Sequence, residues 1–221
     1  MPEFTLYTGY ANVSTWSMRG WLAVKKSGVS FDDIFLRYRL KDDKARLLAV
    51  SPTGRVPLLV HERAGKTVKV WDSLAIGEYL NDLFPEKKLW PEDPVARALA
   101  RSISAEMHSG FGAMRHALSM DLTGRHSQWA ENAPGAENDI ARMTTIWREC
   151  REKYGAKGGP FLFGGFTIAD AVFAPIPFRF RTYGVALDLV SQAYCDAIFA
   201  DPDVKEWERR AEAQPLDPPT P

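Results

Sequence analysis

The sequence predicts a small α/β layer followed by an all-helical region, and three observations carry that prediction. Strand-like and helix-like segments alternate through residues 4–84 of the 221. Strand signals vanish after residue 94. Between the two textures lies a polar stretch that holds Pro85, Pro91 and Pro94. Apolar residues make up 45% of the chain, enough to bury a sizeable core.

Residues 4–8, Phe-Thr-Leu-Tyr-Thr, are short, β-branched and aromatic, a strand pattern. In 17–26, Met18, Trp21, Leu22 and Lys25 recur at helical spacing, and Ser27-Gly28 supplies a stop. Residues 34–36 read as a second strand and 42–50 as a short helix ended by Ser51-Pro52-Thr53-Gly54. Residues 56–60 and 67–70 form a hairpin whose turn lies within 62–66 around Gly65. Ile76, Leu80, Leu83 and Phe84 mark one face of a helix that Pro85 ends, so the order is β-α-β-α-β-β-α. Beyond the prolines, 95–118 reads as one long helix, and 140–154 as a second with Ile140, Met143, Ile146 and Trp147 on one face. Residues 173–180 are apolar despite Pro175 and Pro177, which predicts a buried, kinked helix. Two more helices follow at 190–199 and 204–213, then a tail, 214–221, whose four prolines predict fraying.

Lys+Arg 28 against Asp+Glu 28 leaves no net charge, so no global field steers the chain onto nucleic acid or an anionic membrane. The start, Met1-Pro2-Glu3-Phe4, lacks a signal-peptide pattern, and no apolar run approaches the ~20 residues a bilayer needs. Two cysteines, Cys150 and Cys195, make no disulfide framework and read as inert residues in two helices. A reducing, cytoplasmic setting is expected. His61, His108, His116 and His126 show no metal-ligand spacing, and no GxSxG, P-loop or GxGxxG is present. Where a CxxC would sit between first strand and first helix, Trp16 and Ser17 stand instead. Any thiol chemistry therefore uses a thiol brought from outside.

Residues 10–19 span that junction, where helix N–H groups and the macrodipole favour an anion. Taken alone, the hydroxyls of Ser14, Thr15 and Ser17 read as caps and turn formers, with Ser17 or Thr15 at the cap itself. Frequency favours a trans Val56–Pro57 bond, since only ~5–6% of such bonds are cis. Asp72 or Ser73 is an N-cap for the third helix. Thr167-Ile168-Ala169-Asp170 fits a capping box and is read as structural.

Together these pieces resemble the glutathione S-transferases over essentially the whole chain. The resemblance rests on the element order, on Ser51-Pro-Thr-Gly-Arg-Val-Pro-Leu58, on Asp72-Ser73 at the third helix, and on Phe166-Thr-Ile-Ala-Asp170. It implies a thioredoxin-like glutathione-binding domain at 1–84, a linker at 85–93 and an all-helical electrophile-binding domain at 94–221. Ser14-Thr-Trp-Ser-Met-Arg19 looks like the serine-type active segment of the zeta class, and closer still to bacterial members with a serine-serine-tryptophan-serine run.

By that resemblance Ser14 faces the glutathione sulfur, with Trp16 beside it and Tyr7 and Thr15 as rivals, and Val56–Pro57 is the cis bond. Val56 would pair with the cysteinyl backbone like an added strand. Asp72 and Ser73 would take the two charges of the γ-glutamyl end, and Arg55 the glycyl carboxylate. Met107, His108, Phe111, Met114 and Arg115 would line the electrophile pocket, with His108, Phe111 and Arg115 on one helical face. The resemblance further implies a homodimer, glutathione as co-substrate, no metal, and conjugation of small hydrophobic electrophiles, as in detoxification. A maleyl-type cis–trans isomerase is the alternative, against which Trp16 counts because the zeta pattern has cysteine there. A non-catalytic glutathione- or ligand-binding protein is the third reading.

Overall fold

A computed structural model describes residues 3–38, 43–126, 134–155 and 158–214. Asp42 of the second predicted helix and the tail 215–221 lie outside them. The sheet has the order β2-β1-β3-β4, with β1 Phe4–Thr8 parallel to β2 Phe31–Phe35 and antiparallel to β3 Leu58–Arg63. Strand β4 Lys66–Trp71 closes the hairpin in the register Arg63↔Lys66. Its loop is only Ala64-Gly65, both with positive φ (49° and 74°), shorter than the expected turn. Strand β2 also begins earlier than predicted. Its exposed Asp32-Asp33 masks the strand pattern, but Asp33 accepts from Trp21 Nε1 at 2.8 Å and Thr8 Oγ1 at 2.9 Å.

Helix α1, Thr15–Ser27, buries Met18, Trp21 and Leu22 against the sheet and α3 Ser73–Leu83. Gly28 closes α1 in the left-handed region. Gly20 lets α1 approach closely, since a Cβ there would lie 2.8 Å from Pro57 Cγ. Helix α2 spans Asp43–Val50. After α3, a 3₁₀ turn at Pro85–Lys87 leads to Leu89 and Trp90, both buried in the core.

The predicted 95–118 helix is two: α4 Pro94–Ser109 and α5 Gly112–Ala117. The break falls at Gly110-Phe111, where Phe111 takes φ 58° and flanking glycines weaken helix continuation. Helix α6, Ala136–Tyr154, starts a turn before its predicted first residue. The predicted kinked segment resolves into α7 Ile168–Phe173 and α8 Pro175–Tyr183, because Pro175 lacks an N–H to donate and serves as a first-turn residue. Helices α9 Leu189–Ala200 and α10 Pro202–Ala213 are the last among the described residues. Trp147 on α6 packs among Phe173, Phe180 and Tyr194.

Two sets of contacts hold the helical part against the junction before α1. Trp207 Nε1 donates to the Ala11 carbonyl at 3.0 Å, and Ala11 N–H donates to Gln214 Oε1 at 2.7 Å. Gln214, the first residue of the predicted frayed tail, is thus tied down. Asn12 donates to Asp121 at 3.0 Å and accepts from Thr123 N–H at 3.1 Å. Lys26 pairs with Asp201 at 2.7 Å, and Arg210 pairs with Asp33. The loop that carries Ser14 is therefore set from both sides.

Candidate active site

Ser14, not Thr15 or Ser17, is the N-cap of α1. Its extended backbone (φ −92°, ψ 91°) turns Oγ back to accept Ser17 N–H at 3.3 Å, the usual cap contact. Ser14 Oγ also donates to Ser17 Oγ at 2.8 Å, and that oxygen accepts Gly9 N–H at 2.9 Å. Ser17 is fully buried and Ser14 nearly so.

Ser14 opens onto the first of two adjoining recesses, each of about 450 Å³, within the range of small-ligand sites. Trp16, Arg55 and Val56 line both recesses. The first adds Tyr38, Lys44 and Gly54; the second adds Pro57, Asp72, Ser73 and His108. The Val56–Pro57 bond is cis, against the frequency argument and as the resemblance implied.

Asp72 caps α3 with φ 77°, and its Oδ1 accepts Leu74 N–H at 2.8 Å. The other carboxylate oxygen lies 3.1 Å from His108 Nε2. Ser73 Oγ is buried at the α3 N-terminus with no hydrogen-bond partner among the described residues. A hydroxyl left unmet beside first-turn amides suits an incoming carboxylate.

Behind Trp16 lies positive charge. Arg19 sits 4.7 Å over its ring and Arg115 5.3 Å, while His108 meets the ring edge-on at 4.9 Å. Arg19 is 2% exposed, and its Nε and Nη1 have no hydrogen-bond partner among the described residues. Burial, then the charges of Arg115 and Arg179, lower its pKa to about 9. Arg179 is lowered to about 10 by burial and then by Arg115. This cluster favours an anion in the neighbouring cleft.

Three expectations for the electrophile wall need correction. Met107 and Met114 are fully buried and Phe111 is 7% exposed, so all three are core. The helix break at Gly110 removes the single face expected for His108, Phe111 and Arg115. Arg115 instead donates to the Met107 carbonyl and, at 3.0 Å, to the His108 carbonyl, closing the end of α4. Only His108 of the group lines the cleft. Tyr7 and Thr15 line neither recess: Tyr7 lies mid-strand opposite Leu58, and Thr15 is buried in the first turn of α1.

Sequence reasoning missed Lys44 and Arg19. An exposed lysine on a short helix carries no signal. Arg19 does: it interrupts an otherwise apolar buried run that includes Met18, Trp21, Leu22 and Val24. Among the described residues, no group of three or more His, Cys, Asp or Glu side chains is arranged to hold a metal. No described helix is long and apolar enough to cross a membrane.

The family model described as glutathione S-transferase, N-terminal domain, matches residues 13–83. A protein of Caenorhabditis elegans named probable maleylacetoacetate isomerase is 33% identical over 106 residues, covering 48% of this chain. The match spans about half of that relative's length, 47%. The maleylacetoacetate isomerase of Pseudomonas aeruginosa is 27% identical over 83% of this chain and 84% of its own. Among solved structures, a glutathione transferase homologue from Burkholderia gl BGR1 with bound glutathione superposes at TM-score 0.69. It is 25% identical, covering 97% of this chain and all of that one.

Proposed function

We propose that the chain is a member of the glutathione S-transferase superfamily that binds glutathione in the double recess and activates its thiol for attack on a small electrophile. The observation that carries this reading is the convergence of Ser14, Val56–Pro57 and Asp72-Ser73 on adjoining recesses from three separate elements. A free thiol titrates near ~8.5, so little of it is thiolate at neutral pH. The Ser14 hydroxyl, the α1 N-terminus and the arginines behind Trp16 all favour the anion, and each unit of downward shift is worth about 1.4 kcal/mol.

Val56 pairs with the cysteinyl backbone in the manner of an added strand. Asp72 takes the γ-glutamyl ammonium, exchanging His108 for the ligand's cation, and Ser73 Oγ with the α3 amides takes the carboxylate. Arg55, now with Lys44 beside it, meets the glycyl carboxylate. The electrophile lies against Trp16 and His108, and fixing both reactants in one cleft supplies proximity as well as an activated nucleophile. Homodimerisation, a cytoplasmic setting and a role in detoxification complete the proposal.

The experiment is Ser14→Ala with glutathione and a model aryl halide. Turnover falls about 10- to 100-fold with the KM for glutathione within a few-fold, as expected when a charge-stabilising donor is lost. Unchanged turnover removes Ser14 from the mechanism.

A second reading is favoured by one observation: Arg19 and Arg115 lie over Trp16 with the charge of Arg179 close by, and Arg19 Nε and Nη1 have no hydrogen-bond partner among the described residues. The positive field of such a cluster favours a carboxylate-bearing substrate in the neighbouring cleft, as in isomerisation of a maleyl-type diacid, and two of the relatives above bear that activity's name. Trp16, standing where the zeta pattern has cysteine, counts against it. A direct cis–trans isomerisation assay decides between the two.

A further inference from the structure

We propose that Ser17 is a positioning residue for the thiol-activating hydroxyl, feeding its own hydroxyl and the Gly9 amide into Ser14 so that three donors stand in series before the sulfur. This rests on the proposed role of Ser14. A helix cap needs only the bond from Ser17 N–H to Ser14 Oγ, at 3.3 Å, which any residue at position 17 except proline supplies. The side chain does something more. Its oxygen lies 2.8 Å from Ser14 Oγ and accepts Gly9 N–H at 2.9 Å, joining the end of β1 to the first turn of α1.

In the ligand-free arrangement Ser14 donates to Ser17, so its proton points away from the recess partner it is proposed to serve. Ser17 Oγ accepts twice, and its own proton has no acceptor among the described residues. A thiolate at the cleft turns the Ser14 proton onto sulfur. The Ser17 proton then swings onto the vacated lone pair of Ser14 along the same 2.8 Å line. Two hydroxyls rotate, and no proton changes owner.

The chain then runs Gly9 N–H to Ser17 Oγ–H to Ser14 Oγ–H to sulfur, with Ser17 N–H as a second donor onto Ser14 Oγ. Each donor polarises the next, which strengthens the last one. Ser17 is fully buried, so solvent does not stand in for it.

The test is a pH titration of the thiolate absorbance of bound glutathione in wild type, Ser14→Ala, Ser17→Ala and Ser17→Thr, with affinity from calorimetry. Ser17→Ala is expected to raise the bound thiol pKa by about half to one unit and to lower turnover at neutral pH about three- to tenfold. Its KM for glutathione stays within about twofold, and the turnover loss shrinks as pH rises. Ser17→Thr keeps the hydroxyl and restores the profile. If the alanine variant does not fold, Ser17→Cys, similar in shape but a weak donor, reads the same shift.

An unchanged thiol pKa in the alanine or cysteine variant, with only thermal stability reduced, overturns the proposal and leaves Ser17 a structural residue. Ser14→Ala separates the two levels of the argument. If it shifts the thiol pKa and the Ser17 variants do not, the relay alone is wrong. If it shifts nothing, the Ser14 reading falls and the relay with it.

Discussion

Helices α1, α3 and α7 each start with a polar cap, yet α7 and the pair α1 and α3 use it in opposite ways. At α7, Asp170 is fully buried and accepts from Thr167 N–H at 2.8 Å, Thr167 Oγ1 at 2.9 Å, Leu162 N–H at 3.0 Å and Tyr194 OH at 3.2 Å. Every lone pair is spoken for from inside. At α1 and α3 the caps open onto a cleft: Ser14 lines it, Asp72 is half-exposed toward His108, and Ser73 Oγ is unmet among the described residues. The cap motif itself does not tell structure from function; spare hydrogen-bonding capacity facing a cavity does.

The sharpest way to break this comparison is Asp170→Ala, which leaves buried donors unmet and is expected to cost about 3–5 kcal/mol in denaturant unfolding. Glutathione affinity of the folded fraction stays as in wild type. A loss of affinity larger than the loss of folded protein contradicts the division. The same carboxyl sets a pH signature, because burial pushes its pKa up to about 6 against hydrogen bonds that pull it down. The folded state then binds this proton more tightly than the unfolded chain. Its stabilising contribution is therefore present near pH 4 and fades as pH rises toward 6. Asp170→Asn removes that slope from the variant, so the difference between the thermal midpoints of variant and wild type changes with pH across this window.

Ser14→Ala has the reverse profile. Losing the cap costs about 1 kcal/mol of stability, while conjugation falls about 10- to 100-fold. Gly20→Ala tests whether the cleft wall depends on close packing. Its Cβ would sit 2.8 Å from Pro57 Cγ, and the expected cost is about 1–2 kcal/mol with a raised KM for glutathione. The smallest effect is expected at the cysteines: burial pushes the Cys150 and Cys195 thiols up to about 12, so neither reacts with a thiol reagent in the native protein.

Much of this architecture was legible in the sequence because local chemistry and tertiary structure agree there. The strand at Phe4–Thr8, the stop at Gly28 and the Thr167–Asp170 box all appear as read. The failures have physical causes. Strand β2 is held by parallel pairing with β1, and its aspartates hide that. The α4–α5 helix looked continuous because apolar spacing carries through Gly110-Phe111, whereas Phe111 takes a left-handed backbone that ends the helix there. Met107, Phe111 and Met114 show why helical apolar residues are safer read as core than as a pocket wall. The site residues that converge were those with a cap, turn or proline to mark them. Arg19 and Lys44 depend on which surfaces face each other, and local patterning does not encode that.

The most direct test of the central claim is a crystal structure of the protein with glutathione. The account predicts the sulfur within hydrogen-bond reach of Ser14 Oγ, the γ-glutamyl ammonium on Asp72 in place of His108, and its carboxylate on Ser73. A sulfur lodged against Tyr7 or Thr15, or no glutathione between Val56 and Asp72 at saturating concentration, contradicts it.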